Sequence, residues 1–341
     1  MMQRWLSPLK VFRPLMTSLL TSLVALSLLG VAGTATATAT EAMAATPLTP
    51  TPEGFVDRPV VVLDWTLAET LTGLGVRAIG VGQVETYRSW VDQPELPTGT
   101  RDLGLRTQPN LEQLARLAPD DILISPMLAS LTPRLSSIAP VTSIPLYTPD
   151  TDTWQTLVEA TRQLGKMTHR ESQAEQLIRA SETYMAGVNA ALHQQAAQNQ
   201  QAQMPLLMVQ FMDDRHVRVF GNNSLFQAVT ERLGIANAWQ GDTNAWGFAT
   251  VSLEKLVTLK GRMVVVEPLP PGGREGLARN DLWQALPGVR ENSGASAPLF
   301  LPPVWSFGAL PSASRFAHML AERLLTRPDT AITQGQTDGD H

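Results

Sequence analysis

The chain has 341 residues, enough for one large domain or two ordinary ones. Hydrophobic content of 43% with 17% charged residues supports a sizeable core and excludes a disordered chain. A net charge of −5 with no basic block gives no surface for nucleic acid or an anionic membrane, and the absence of cysteine excludes disulfides, thiolate metal sites, cysteine nucleophiles and a cysteine-linked lipid anchor.

Residues 1–44 read as a signal peptide. Arg4, Lys10 and Arg13 precede an apolar run over 15–31, and Ala42-Met43-Ala44 fits the small-x-small rule with the cut after Ala44. Cuts after Ala37 or Ala39, or an uncleaved anchor, are the alternatives. The mature protein is expected to be exported to a periplasm, soluble, unlipidated and monomeric. Residues 45–56 are a proline-rich, flexible lead-in.

A first block follows over 57–150. Residues 58–64 and 76–81 read as buried strands separated by a helix over 65–74, which makes their pairing parallel. Residues 85–100 carry Tyr87, Arg88 and Trp90 in a proline-rich loop. Asn110 is the expected N-cap of a helix over 111–117, and strands are expected at 121–125 and 142–146. Linking helices occupy 151–203, beginning with an amphipathic one over 154–166.

The stretch 170–200 has no proline, and one face recurs at helical spacing: Ala174, Leu177, Ile178, Ser181, Tyr184, Met185, Val188 and Leu192. Glu175 and Arg179 are spaced for a helical ion pair. One long helix between two α/β blocks points to two lobes on a stiff bridge, with Gly187 its one compliant point; a long helix inside one large domain is the alternative. The second block spans 204–326, with strands at 206–211 and 217–220, a helix capped by Ser224, an aromatic loop over 235–250, a strand at 263–267, a Pro/Gly loop over 268–276 and a closing helix over 312–325. Residues 327–341 read as a disordered tail.

No GxSxG, GxxxxGK[ST] or HExxH motif occurs, and the five histidines are too scattered to pair as metal ligands. An exported enzyme with an unlisted site stays open as a distant alternative. Aromatic residues gather instead in loops at strand ends, where open α/β sheets bind ligands: Trp90, Trp239, Trp246, Phe248, Trp305 and Phe307. Each either packs under its own loop or faces a ligand. Arg106, the one charged side chain in GLRTQPN, offers a planar fork suited to paired oxygens, or else pairs with a neighbouring carboxylate.

The stretches RSWVDQPELP (88–97), DLGLRTQPNLE (102–112), VFGNNSLFQ (219–227), NAWQGDTNAWG (237–247), LWQALPGVR (282–290) and PVWSFGA (303–309) carry a family likeness. In them the chain resembles the periplasmic ferric-hydroxamate siderophore-binding proteins of iron-uptake ABC transporters, a helical-backbone class of substrate-binding protein. The resemblance implies two α/β lobes bridged by one long helix. It implies a ferric trishydroxamate ligand of the ferrichrome, coprogen or ferrioxamine type, handed on to an inner-membrane permease. It needs no cofactor, because the iron travels within the siderophore. It places the hydroxamate-binding arginine at Arg106, pocket tryptophans at Trp90, Trp246 and Trp305, a further tryptophan at Trp239 and an asparagine at Asn244. Three positions depart from the family: its second hydrogen-bonding tyrosine aligns with Leu128, a pocket serine with Phe248 and an aromatic hydroxyl with Phe307. The resulting pocket would be more apolar and lean more on Arg106. A ligand change within the same fold, to another iron complex, haem or cobalamin, is the alternative. Glu254 matches an acidic permease contact on the second lobe, while the first-lobe counterpart, nearest Pro133, is not acidic.

Overall fold

The computed structural model describes residues 54–148, 151–199, 204–290 and 297–325; the expected signal peptide, most of the lead-in and the tail lie outside the described residues. In the first lobe β1 (Val56–Val62) leads through α1 (Trp65–Gly73) to β2 (Val76–Val81). There follow α2 (Val84–Trp90), β3 (Arg101–Asp102), a two-stranded ribbon of β4 (Gly104–Leu105) and β5 (Gln108–Pro109), and α3 (Leu111–Leu117). β6 (Asp121–Ile124), α4 (Thr132–Leu135) and β7 (Val141–Ser143) complete it. The five-stranded sheet runs β3-β2-β1-β6-β7 with every pair parallel. All its strands therefore end at one edge.

All of α2 but its first residue lies in the segment expected to be loop. Val84, Tyr87 and Val91 fall three and four apart and are all buried, a helical face short enough to be hidden by the prolines that follow. Asn110 caps α3 as expected, accepting from the Gln113 N–H at 3.0 Å.

α5 (Thr153–Thr168) turns sharply into α6 (Glu171–Asn199). The turn is close-packed: a Cβ on Gly165 would lie 2.7 Å from the Ala174 Cβ. α6 has 29 residues, about 43 Å of helix. Its buried face is the expected one with Ala191 added. Glu175 does not pair with Arg179; it meets Arg162 of α5 at 2.7 Å, because the two helices lie side by side.

The second lobe comprises β8 (Leu206–Phe211), β9 (His216–Phe220), α7 (Leu225–Arg232), β10 (Phe248–Ser252), α8 (Leu253–Leu256) and β11 (Arg262–Val266). After three short helices come β12 (Leu299–Leu301) and α9 (Leu310–Leu325). The sheet order is β10-β9-β8-β11-β12, antiparallel along β8-β9-β10 and parallel along β8-β11-β12. β10 begins at the end of the expected aromatic loop and runs two residues past it, and a helix over 273–278 begins in the expected Pro/Gly loop and likewise runs two residues past it.

The lobes do not hang from the long helix alone. One continuous core takes in Leu71 of α1, Leu164 of α5, Ile178 and Met185 of α6, Phe226 of α7 and Phe316 of α9. α9 clasps α6 through Ser314 to Ser181 at 3.0 Å and through a 2.9 Å contact between Tyr184 and His318.

Candidate functional site

A cavity of about 320 Å³ opens between the lobes. The first lobe contributes Asp64, Thr66, Arg106, Ser125, Met127, Tyr147 and their neighbours; the second contributes Ala245, Trp246, Trp305 and Phe307. Parallel pairing explains the first set. Asp64 follows β1, Ser125 follows β6 and Tyr147 lies beyond β7, all past strand ends at the same sheet edge. Asp64 caps α1 by accepting from the Thr66 N–H at 2.9 Å, and accepts from the Ser125 hydroxyl at 2.6 Å.

Among the described residues Arg106 is the one cation lining the cavity. Its guanidinium carbon lies 3.8 Å from the centroid of Trp65 and 5.6 Å from that of Trp305, stacked rather than ion-paired. Gln83 accepts from its backbone N–H and its Nε, both at 3.4 Å. Gly82 makes this seat possible, since a Cβ there would lie 2.9 Å from the Arg106 Cγ. Trp65 is fixed in turn by its indole N–H donating to the Gly82 carbonyl at 2.8 Å. Burial pulls the guanidinium below its ordinary pKa and the Asp64 charge opposes that. The side chain remains a cation, held on aromatic carbon.

Two hydroxyls of the cavity are already engaged, whereas the buried Trp305 indole N–H has no partner among the described residues. The Thr66 hydroxyl donates to the Phe307 carbonyl and the Tyr147 hydroxyl to the Gly308 carbonyl. The aromatic wall is an edge-to-face cluster: Trp305 with Trp65 at 4.9 Å, Phe307 with Trp305 at 5.4 Å and Trp246 with Phe307 at 6.2 Å.

Arg106, Trp246, Trp305 and Phe307 thus come together as lining residues. Trp90 stands one layer back, edge-on to Trp305 at 6.4 Å, and Phe248 likewise backs Phe307 at 6.1 Å. Asn244 shapes the turn that presents Trp246, its Oδ1 accepting from the Trp246 N–H at 2.9 Å. Two expectations need correction. Leu128 points into the first-lobe core at 4% exposure, and the adjacent Met127, 49% exposed, takes the cavity-facing place. Trp239 packs inside the second lobe against its core, where a Cβ on Gly221 would lie 2.8 Å from its ring. Glu254 sits away from the cavity, exposed in the first turn of α8. The Ser252 hydroxyl and the helix's own backbone N–H, with Arg215 and His216 nearby, hold its carboxyl below the usual range. Among the described residues no cluster of three or more His, Asp or Glu side chains could hold a metal ion.

Two α/β lobes on one long helix, with an aromatic cleft and a single cation between them, define a ligand-capturing clamp. The model of the periplasmic binding protein family matches residues 60–294, and the chain belongs to that family. It is 34% identical over 265 residues to the iron(3+)-hydroxamate-binding protein FhuD of Escherichia coli strain K12, covering 76% of this chain and 85% of that one. The crystal structure of Fe3+–Desferal-bound FhuD from Vibrio cholerae superposes with a TM-score of 0.72 at 29% identity, covering 78% of this chain and 97% of that one. FhuD2 of Staphylococcus aureus with bound ferrioxamine B shares the fold at a TM-score of 0.61 and 18% identity, covering 78% and 97%.

Proposed function

We propose that the protein captures ferric trishydroxamate siderophores in this cleft and delivers them to an inner-membrane ABC permease, acting as a carrier and not as an enzyme. The observation that carries this reading is the state of Arg106. Its Nη groups have no protein acceptor among the described residues, while the cavity's Thr66 and Tyr147 hydroxyls are spent on backbone carbonyls. Three hydroxamates around Fe(III) present a cluster of partly negative oxygens, which one fixed guanidinium recognises without competing for the metal. The indole and phenyl faces then receive the hydrocarbon of the siderophore backbone. Catecholate complexes carry about three negative charges and call for several cations; among the described residues one cation lines this cavity.

The described relatives support the same ligand class: the V. cholerae neighbour holds a ferric hydroxamate and the E. coli relative is named for one. We place Arg106, Trp246, Trp305 and Phe307 against the ligand, with Met127 at the rim and Trp90, Phe248 and Asn244 supporting them. Glu254, charged and exposed, is the proposed permease contact on the second lobe. Cleavage after Ala44 would release a mature chain in which residues 57–150 and 204–326 are the lobes and 151–203 their link. A competition panel tests the reading. Ferrioxamine B, a ferric catecholate, haem and cobalamin should differ, with ferrioxamine B alone quenching tryptophan emission at micromolar concentration or below; preference for any other member contradicts it.

A further inference from the structure

Three first-lobe side chains reach across the cleft floor and fasten the second-lobe segment 305–309. Thr66 donates to the Phe307 carbonyl, Tyr147 to the Gly308 carbonyl, and Glu69 accepts from the Ala309 N–H. The second oxygen of Glu69 lies 2.5 Å from the Ser312 hydroxyl in the first turn of α9. Glu69 is 0% exposed, within α1. The segment it holds carries Trp305 and Phe307, two walls of the cavity. There is no slack in it: a Cβ on Gly308 would lie 2.3 Å from the Ser312 Cβ.

We propose that Glu69 is a positioning residue of the ligand pocket, holding the segment 305–309 in its ligand-receiving shape from inside the first lobe. Only the ligand used to test this depends on the proposed function; the positioning itself does not. The groups facing the carboxyl are Asp64 from the start of α1, Arg315 and Ser312 from α9, and the Tyr87 and Tyr147 phenols. Arg315 is committed elsewhere, to Asp92 at 2.5 Å and the Val91 carbonyl at 2.8 Å. Both phenols are pushed well above their ordinary pKa, burial being the main cause, so they stay neutral.

Burial outweighs the Ser312 and Ala309 hydrogen bonds and the Arg315 charge, and raises the Glu69 carboxyl to about 8. As a neutral acid it accepts from the Ala309 N–H and donates its own proton to Ser312, since a hydroxyl serves as donor or acceptor. Ionised, it places a charge in the core with no cation in contact, relieved when the segment lifts and water enters. Loss of the proton and release of the two aromatic walls are therefore coupled.

The test is the pH profile of ferrioxamine B binding, read by tryptophan quenching between pH 6 and pH 10. In the wild type the dissociation constant is expected to be level below about pH 7 and to rise at least ~fivefold by pH 9.5. Glu69→Gln keeps both hydrogen bonds without a charge and should stay level near the wild-type low-pH value. Ser312→Ala removes a group that favours the carboxylate and should move the midpoint upward, which keeps the test alive if Glu69→Gln does not fold. A level wild-type profile, or an unchanged slope in Glu69→Gln, overturns the proposal. The ligand-free protein gives a separate reading, because its tryptophan emission should titrate with the same midpoint. Absence of that titration counts against Glu69, whereas failure of ferrioxamine B to bind at any pH counts against the proposed function.

Discussion

Arg106 and Glu69 are opposite solutions to charge beside an apolar cleft. Arg106 keeps its charge by lying on indole faces at the cavity wall, with its hydrogen-bonding edge unspent. Glu69 is sealed in the core and is held neutral by burial. The second arrangement has a cost that stability measurements read. Its folded-state pKa of about 8 lies above the ordinary 4.5, so between those values the native state binds more protons than the unfolded one. Stability contributed at this position is greatest below about pH 4.5, falls as pH rises through that window, and levels above about pH 8. The total fall is on the order of 3–5 kcal/mol. Glu69→Gln should remove it, so the melting temperature of the variant relative to wild type should climb from pH 5 to pH 9; a constant difference would refute the assignment. That Arg106, Trp246 and Trp305 line one cavity matches the sequence signal of a lone cation and aromatics in loops. Trp239 carries the same signal but packs against the second-lobe core, because loop position alone does not tell a wall from a buried anchor. Glu69 was not legible in the sequence, since its partners Ala309 and Ser312 lie 240 and 243 residues away. Leu128 misled for a different reason: a one-residue step in a helical turn exchanges a buried position for a cavity-facing one, and Met127 took the outward place.

At the scale of elements, long periodic segments were read best. α6 has its expected length and buried face, and β1, β2, β8 and the cap of α3 stand within a residue or two of their expected places. What periodicity could not resolve were short elements among prolines and aromatics. α2 carries only seven residues, and β10 is an edge strand whose pairing with β9 supplies the regularity its own sequence lacks. The long helix also changes meaning. It is braced along its length by α5 and α9, and shares their core. Lobe closure would have to shear that core, so motion on ligand binding should be a few degrees at most. Small-angle scattering with and without ferrioxamine B should give nearly the same radius of gyration; a clear contraction would contradict the bracing.

For the molecule as a whole, two sheets of different pairing present their loops to one cavity, and the chemistry there is concentrated in a single cation. A wholly parallel sheet aligns Asp64, Ser125 and Tyr147 at one edge, and the first lobe then fastens the aromatic loop of the second. The cleft is preformed, with the Thr66, Ser125 and Tyr147 hydroxyls spent on its own architecture and the Arg106 Nη groups and the Trp305 indole N–H left without a protein acceptor among the described residues. The most direct measurement is a fluorescence titration of wild type and Arg106→Ala with ferrioxamine B at neutral pH. Loss of a charge-assisted contact of about 2–3 kcal/mol predicts binding about 30- to 150-fold weaker in the variant, with an unchanged melting temperature. Equal affinity in the two proteins would contradict the central role given to Arg106.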